Sequence, residues 1–177
     1  MRFPFFLFLL LPSLLSAQQY ATRQGQVHFL SETPIEDIEA TSSEASVILD
    51  LTTGRVAAQV PMLSFHFEKA LMEEHFNENY MESSRFPKAK FQGSLVDFQG
   101  LLAEGETPVV VKGSFEVHGV AVERSFSGTL EKTKKGVALH CLFDVATADH
   151  EIPIPSVVRD NIAASIAVDI TATLVSR

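Results

Sequence analysis

Six histidines and one cysteine are the residues of this 177-residue chain best suited to bind a metal or attack a substrate. His66 and His75 flank a predicted strand–helix junction, whereas a helical zinc site needs two His four residues apart. The "EEH" at 73–75 has Leu71 where a zinc-peptidase helix carries its second His. The other His residues occur singly. The spacing therefore assembles no three-ligand metal site and predicts no cofactor.

Nucleophilic and acid–base motifs are equally weak. No Ser lies in a Gly-x-Ser-x-Gly turn, and Cys141 falls in phase with apolar neighbours, which predicts a buried, unreactive thiol. The acidic pairs Glu36-Asp37 and Glu73-Glu74 are adjacent in sequence and are typical of solvated surface. The sequence predicts no catalytic residue and favours a protein that is not an enzyme.

Strict alternation of apolar and polar residues defines the elements around these positions. "GVALHCLFDVAT" places Val137, Leu139, Cys141, Phe143 and Val145 on one face, as in a half-buried strand. The last segment, 162–175, alternates over 14 residues, which is long for a strand and favours a small barrel. With turn signals every 8–15 residues, the chain predicts an all-β, antiparallel barrel of about eight strands.

The stretch 64–93, "SFHFEKALMEEHFNENYMESSRFPKAKFQG", interrupts this alternation. Apolar residues recur there at steps of three to five, which predicts one amphipathic helix around 68–80. Pro87 blocks helix, and a strand resumes at Lys88. We expect the helix to cap one end of the barrel or to lie against its wall.

The N-terminus has the pattern of a secretory signal peptide at 1–17: one positive charge at Arg2, an apolar run and then Ser16-Ala17. This predicts export, most simply to a bacterial periplasm, and one domain at 18–177. No later run is long enough for a transmembrane segment. The net charge of −8 becomes more negative without Arg2, which argues against nucleic acid and anionic membranes as partners.

A closed barrel with a helix at its mouth can hold an apolar ligand, since barrels of this size leave room for side chains or for one small molecule. Phe and Met are frequent around the predicted helix, and Met adapts to flexible apolar chains. A filled core uses the same residue types. Composition alone leaves pocket and packed core open.

Three motifs resemble the YceI-like family of exported, lipocalin-like barrels known for binding polyisoprenoids and other amphiphiles. The helix with Leu71, Met72, His75 and Phe76 is followed by the motif Phe86-Pro87-x-Ala89-x-Phe91, at which the chain returns to a strand. A His118-Gly119-Val120 hairpin and a loop before a long final strand complete the match, over nearly all of 23–177.

The resemblance implies a long apolar tunnel that the 64–93 segment lines and closes, holding a polyisoprenoid, an isoprenoid quinone or a fatty-acyl amphiphile. The residues expected to bind this ligand are Phe65, Phe67, Leu71, Met72, His75, Phe76, Phe86 and Phe91. His75 would hydrogen-bond a ligand headgroup or, alternatively, the strand below. Two other functions stay open: an enzyme acting on an amphiphile in the same pocket, and a ligand-free interaction or stress module. Both monomer and homodimer are compatible with the sequence.

Overall fold

The computed structural model describes residues 18–99, 102 and 104–177, so the predicted signal peptide lies outside the described residues. The strands are β1 Gln19–Glu32, β2 Asp37–Asp50, β3 Arg55–Pro61, β4 His66–Phe67, β5 Lys88–Leu95, β6 Glu106–Val117, β7 Val120–Thr133, β8 Gly136–Ala146 and β9 Ser165–Ser176. Helix α1 is Ala70–His75 and continues as one π-helical turn, Phe76–Tyr80. Short 3-10 turns lie at Met62–Ser64, Thr147–His150 and Ser156–Asn161.

Eight strands form a closed antiparallel barrel, which confirms the predicted fold class. Their order is β1-β9-β8-β7-β6-β5-β3-β2, and pairing of β1 with β2 closes the ring. The two-residue β4 adds to β2 at one rim. Apart from β4, strands that follow one another in the chain are neighbours in the sheet, so the barrel is an up-and-down meander.

The alternating sequence places its apolar residues inside the barrel. On β8 and β9, Val137 and Leu174 pair in register and are 1% and 0% exposed. Val175, next to Leu174 on β9, and Leu142, between Cys141 and Phe143 on β8, point outward and are largely exposed. β1, β2 and β7 each have 14 residues, as expected for strands that tilt around a small barrel.

The insertion between β3 and β5 contains the helix and lies at one end of the barrel, which we call the helix end. The same end carries the β1–β2 turn, the β6–β7 turn and the loop 147–164. The helix predicted around 68–80 is confirmed, with a π turn in its second half. In the part of the chain that the structure describes, no helix is long and apolar enough to cross a membrane.

The β6–β7 turn shows why its sequence is His-Gly. His118 and Gly119 have φ angles of 51° and 75°, the left-handed pair that joins tightly twisted antiparallel strands. A Cβ at Gly119 would lie 2.4 Å from the Phe86 ring. Gly119 is therefore required both by its backbone conformation and by the close approach of that ring.

Candidate ligand-binding cavity

An apolar cavity of about 330 Å³ opens at the helix end of the barrel. Strands, helix and loop all contribute to its wall. Most of the lining side chains are apolar, and they include Val27, Phe29, Ile38, Val60, Met62, Phe65, Phe67, Met72, Phe76, Met81, Phe115, Val117, Phe143, Val145, Ile152, Ile154, Val158, Ile162, Ile166, Val168 and Ile170. A cavity of this size and character is suited to a small apolar ligand.

Four phenylalanines join the helix to the barrel wall. The ring of Phe76, at the start of the π turn, lies 5.5 Å from Phe29 on β1, 5.8 Å from Phe65 and 5.1 Å from Phe67, centre to centre. The Phe29 ring also contacts Phe65 and Phe67 at 5.4 and 5.7 Å. The Phe29–Phe76 pair is stacked, and the others are tilted or edge-on. Such aromatic pairs contribute stability beyond that of the area they bury. They form one continuous aromatic wall under the helix.

The helix is further held by a short polar network. Glu73 accepts a hydrogen bond from the backbone N–H of Phe67 at 3.2 Å. The Asn77 side chain donates to the Glu73 carbonyl at 2.9 Å and accepts from the Ser83 hydroxyl at 2.7 Å. Ser83 is only 2% exposed. Because these bonds satisfy both ends of the Asn77 amide, the π turn is fixed in position over the cavity.

Polar groups are few in the cavity lining, and its titratable members are Glu36, His75 and Tyr80. Lys69, just before α1, donates to Glu36 at 3.1 Å, so an ion pair joins the helix to the β1–β2 turn beside the cavity. His75 is exposed at this rim, and no hydrogen bond of its ring is found within the described part of the chain. This position is compatible with a ligand headgroup.

The structure brings five of the eight predicted binding residues to the cavity: Phe65, Phe67, Met72, His75 and Phe76. Leu71, Phe86 and Phe91 are not among the residues that line it. Leu71 is 60% exposed, because successive helical residues are about 100° apart and Met72, His75 and Phe76 define the inward face. Whether the five residues bind a ligand stays a prediction.

Phe86 and Phe91 have other partners. The Phe86 ring packs edge-on against His118 at 4.6 Å and covers the β6–β7 turn. His118 in turn contacts the Glu82 carboxylate at 3.0 Å, which ties the end of the helical segment to that turn. Phe91 is 8% exposed and lies over Gly93, where a Cβ would come within 2.7 Å of its ring. The glycine thus makes room for the ring inside the barrel.

Sequence reasoning did not identify Ile152, Ile154 and Val158, in the loop 147–164, as cavity residues. The sequence pattern that indicates them is the alternation in "EIPIPSVV", at 151–158. The two prolines in this stretch make it look like an irregular loop rather than one with an apolar face. The alternation in β8 and β9 predicts one apolar face on each strand, and the structure places several residues of these faces on the cavity wall.

Cys141 follows the predicted inward phase. Its thiol donates to the Ser127 carbonyl at 3.3 Å. Burial, together with the negative charge of Asp169, raises the pKa of Cys141 to about 11, so the reactive thiolate is scarce at neutral pH. Among the described residues, no group of three or more His, Cys, Asp or Glu is arranged to hold a metal ion.

A closed eight-stranded antiparallel barrel with an apolar cavity beneath a short helix has the architecture of barrels that can hold one small apolar molecule. The profile of the YceI-like domain matches residues 19–174, and the chain therefore belongs to the YceI-like family. No protein with a curated description matches the sequence.

Three solved structures have a similar fold. A polyisoprenoid binding domain from Saccharophagus degradans aligns with a TM-score of 0.77 at 13% identity, covering 91% of this chain and 99% of that one. BcnA of Burkholderia cenocepacia aligns with a TM-score of 0.71 at 14% identity, covering 86% and 96%. The YceI protein of Campylobacter jejuni aligns with a TM-score of 0.63 at 10% identity, covering 82% and 88%. At these identities the likeness concerns the fold.

Proposed function

We propose that this protein is an exported binding protein that holds the apolar chain of an isoprenoid or acyl amphiphile in the barrel cavity, for carriage or sequestration. The observation that supports this most directly is the apolar cavity of about 330 Å³ under the Phe29–Phe65–Phe67–Phe76 wall. The name of the Saccharophagus degradans domain, a polyisoprenoid binding domain, supports the same ligand class.

Burial of the ligand tail supplies the driving force. Each methylene transferred from water into an apolar site contributes about 0.8 kcal/mol before the costs of association are subtracted. The charged or polar headgroup would stay at the rim, near His75 and the Lys69–Glu36 ion pair. There it keeps contact with water, so its desolvation cost is avoided.

A binding role is favoured over a catalytic one by where the titratable groups lie. Within the described lining, Glu36, Tyr80 and His75 belong to the β1–β2 turn and the helical segment, around the rim. The deeper part of the cavity is apolar: its wall includes Val27, Val168 and Ile170, and Phe115 and Phe143 also line it. A chain lying against that wall meets no acid, base or nucleophile there.

The proposal is tested by native mass spectrometry of the protein purified from its exported compartment, followed by organic extraction. A one-to-one adduct with the mass of an isoprenoid or acyl compound is expected, and the same spectrum reports whether the protein is a monomer or a dimer. The N-terminal residue of this material also tests removal of residues 1–17. An N-terminus at Met1 would contradict the proposed signal peptide.

A matched pair of variants on β9 links binding to the cavity. Val168 lines the cavity, whereas Thr171 points outward and is exposed. Val168→Phe fills the cavity and should abolish the adduct, while Thr171→Phe adds the same ring outside and should retain it. Equal adduct in both variants, or no adduct in the wild type even after incubation with farnesol and fatty acids, would overturn the proposal.

A further inference from the structure

The cavity occupies one half of the barrel, whereas a tunnel along its whole length would be needed for a long polyprenyl chain. The opposite half is filled by a second cluster of apolar side chains. Its members Leu49, Leu130, Val137 and Leu174 are between 0% and 2% exposed. Side chains buried to this degree leave no passage for a ligand between them.

Aromatic rings form the boundary between the two halves. Phe115 and Phe143 line the cavity, on β6 and β8. Behind them lies Phe126 of β7, whose ring centre is 4.2 Å from that of Phe143 and 5.4 Å from that of Phe115. Phe91 of β5, which pairs in register with Phe115, also contacts Phe126, with their ring centres 5.6 Å apart. The cavity therefore has an aromatic floor, with Phe143 at its surface and Phe126 as its support.

The volume above this floor limits the ligand. An apolar cavity of about 150 Å³ holds one benzene molecule, so roughly 25 Å³ are needed per carbon. At 330 Å³, this cavity holds a chain of about 13 carbons. That is the size of a lauryl, myristyl or farnesyl chain and far below that of a long polyprenyl chain.

We propose that the aromatic floor makes this protein selective for a single short apolar chain, of medium acyl or farnesyl length, and that Phe143 sets the upper limit. The inference rests on the proposed binding function and narrows its ligand class. It also distinguishes two geometries that the fold permits, a tunnel through the barrel and a cavity closed at its base. The aromatic floor gives this protein the second geometry, a cavity closed at its base.

The length limit is measured by displacement of a fluorescent apolar probe with two series: saturated fatty acids from octanoic to stearic, and geraniol, farnesol and geranylgeraniol. All are used below the concentrations at which they aggregate. For the wild type, affinity should rise by up to about four-fold per added methylene until the cavity is full. Beyond myristic acid and farnesol it should stay level or fall, because further carbons remain in water.

Variants then test the floor itself. Phe143→Ala opens space on the order of one benzene molecule at the base of the cavity. The chain length that this variant binds most tightly should therefore increase, towards palmitic and stearic acids. Phe143→Leu makes a smaller opening and is the milder variant if the alanine variant does not fold. Phe98→Ala is the matched control: Phe98 packs against the cluster of the opposite half, so loss of the same ring there should leave the preferred chain length unchanged.

The outcomes separate the two proposals. Affinity that keeps rising through stearic acid and geranylgeraniol in the wild type overturns the length limit and leaves the binding function in place. If the wild type and a folded Phe143 variant bind the same chain length best, another residue sets the length limit and the proposed role of Phe143 is wrong. Failure of every chain of either series to displace the probe would overturn the binding function as well.

Discussion

A chain of buried hydroxyls at the start of the 64–93 segment yields a quantitative test of how that segment is fastened. Ser64 donates to the Pro61 carbonyl at 2.7 Å, so its own proton is committed. The 2.6 Å contact between Ser42 and Ser64 must therefore be donated by Ser42. The backbone N–H of Glu44 donates to Ser42 at 3.2 Å. Ser42 and Ser64 are 0% and 6% exposed.

Removal of Ser64 should cost more than removal of Ser42. Ser64→Ala leaves the buried Ser42 hydroxyl without an acceptor, which costs about 1–3 kcal/mol. Ser42→Ala removes the bonds to Ser64 and to the Glu44 N–H, but it leaves no buried hydroxyl without a partner, because Ser64 keeps its bond to Pro61. Glu44 is exposed, so its N–H can bond water instead, and we expect a cost of about 0.5–1.5 kcal/mol. The double variant has no orphaned hydroxyl. Its cost should therefore be smaller than the sum of the single costs, by about 1 kcal/mol.

Urea unfolding followed by circular dichroism measures the free energy of unfolding of all three variants. The slope of that free energy against urea concentration should be the same in each, which shows that their folded and unfolded states are comparable. Thermal melts should agree, at about 2–4 °C per kcal/mol for a domain of this size. Ser43→Ala, on the exposed neighbour, is the control and should change little. If the single costs add to within about 0.3 kcal/mol of the double, the two hydroxyls are not coupled and the reasoning is refuted.

Three further predictions concern other buried groups. In the described residues, the Thr107 hydroxyl is the buried side-chain polar atom that has no partner, so Thr107→Val should stabilise the protein by about 1 kcal/mol in urea unfolding; a loss of stability would contradict this. The raised pKa of Cys141 should make its alkylation by iodoacetamide at pH 8 about 100-fold slower in the folded protein than in guanidinium. The rate in the folded protein should rise as the pH approaches 11. Equal rates in the folded and unfolded protein would show an exposed thiolate. Gly119→Ala should lower the free energy of unfolding by about 2 kcal/mol or more, because it combines a left-handed backbone with a clash against Phe86. Adding Phe86→Leu should relieve part of that cost. A Gly119→Ala variant as stable as the wild type would contradict both causes.

Local periodicity is sufficient to predict the strands and the helix because it reports which face of each element is apolar. The alternation at 137–145 and along the last segment predicts inward residues, most of which the structure confirms. The strand predicted over 162–175 begins only at Ser165, and Ala164, predicted to face inward, is exposed. The step of three to five residues after Glu68 predicts the helix, and the family motifs predict the barrel. Each of these features depends on residues close together in the sequence.

The candidate site was predicted less completely, because its geometry depends on where distant elements meet. Met72, His75 and Phe76 reach the cavity, but their neighbour Leu71 does not, since the register of the helix against Phe29 decides which stripe faces inward. Phe86 packs on the β6–β7 turn, which is more than thirty residues away in the chain. A single sequence contains no local signal for such a contact.

The sequence by itself determined that this protein is an all-β barrel of the YceI-like family with an apolar interior and one inserted helix. It left open whether that helix caps one end of the barrel or lies against its wall, and the structure places it at one end. Only the tertiary structure decided how that interior divides into a cavity and a filled half. The same apolar residue types line both. Whether opposing side chains meet across a barrel depends on strand register and on where aromatic rings such as Phe126 and Phe143 stack, and those are long-range properties of the closed sheet.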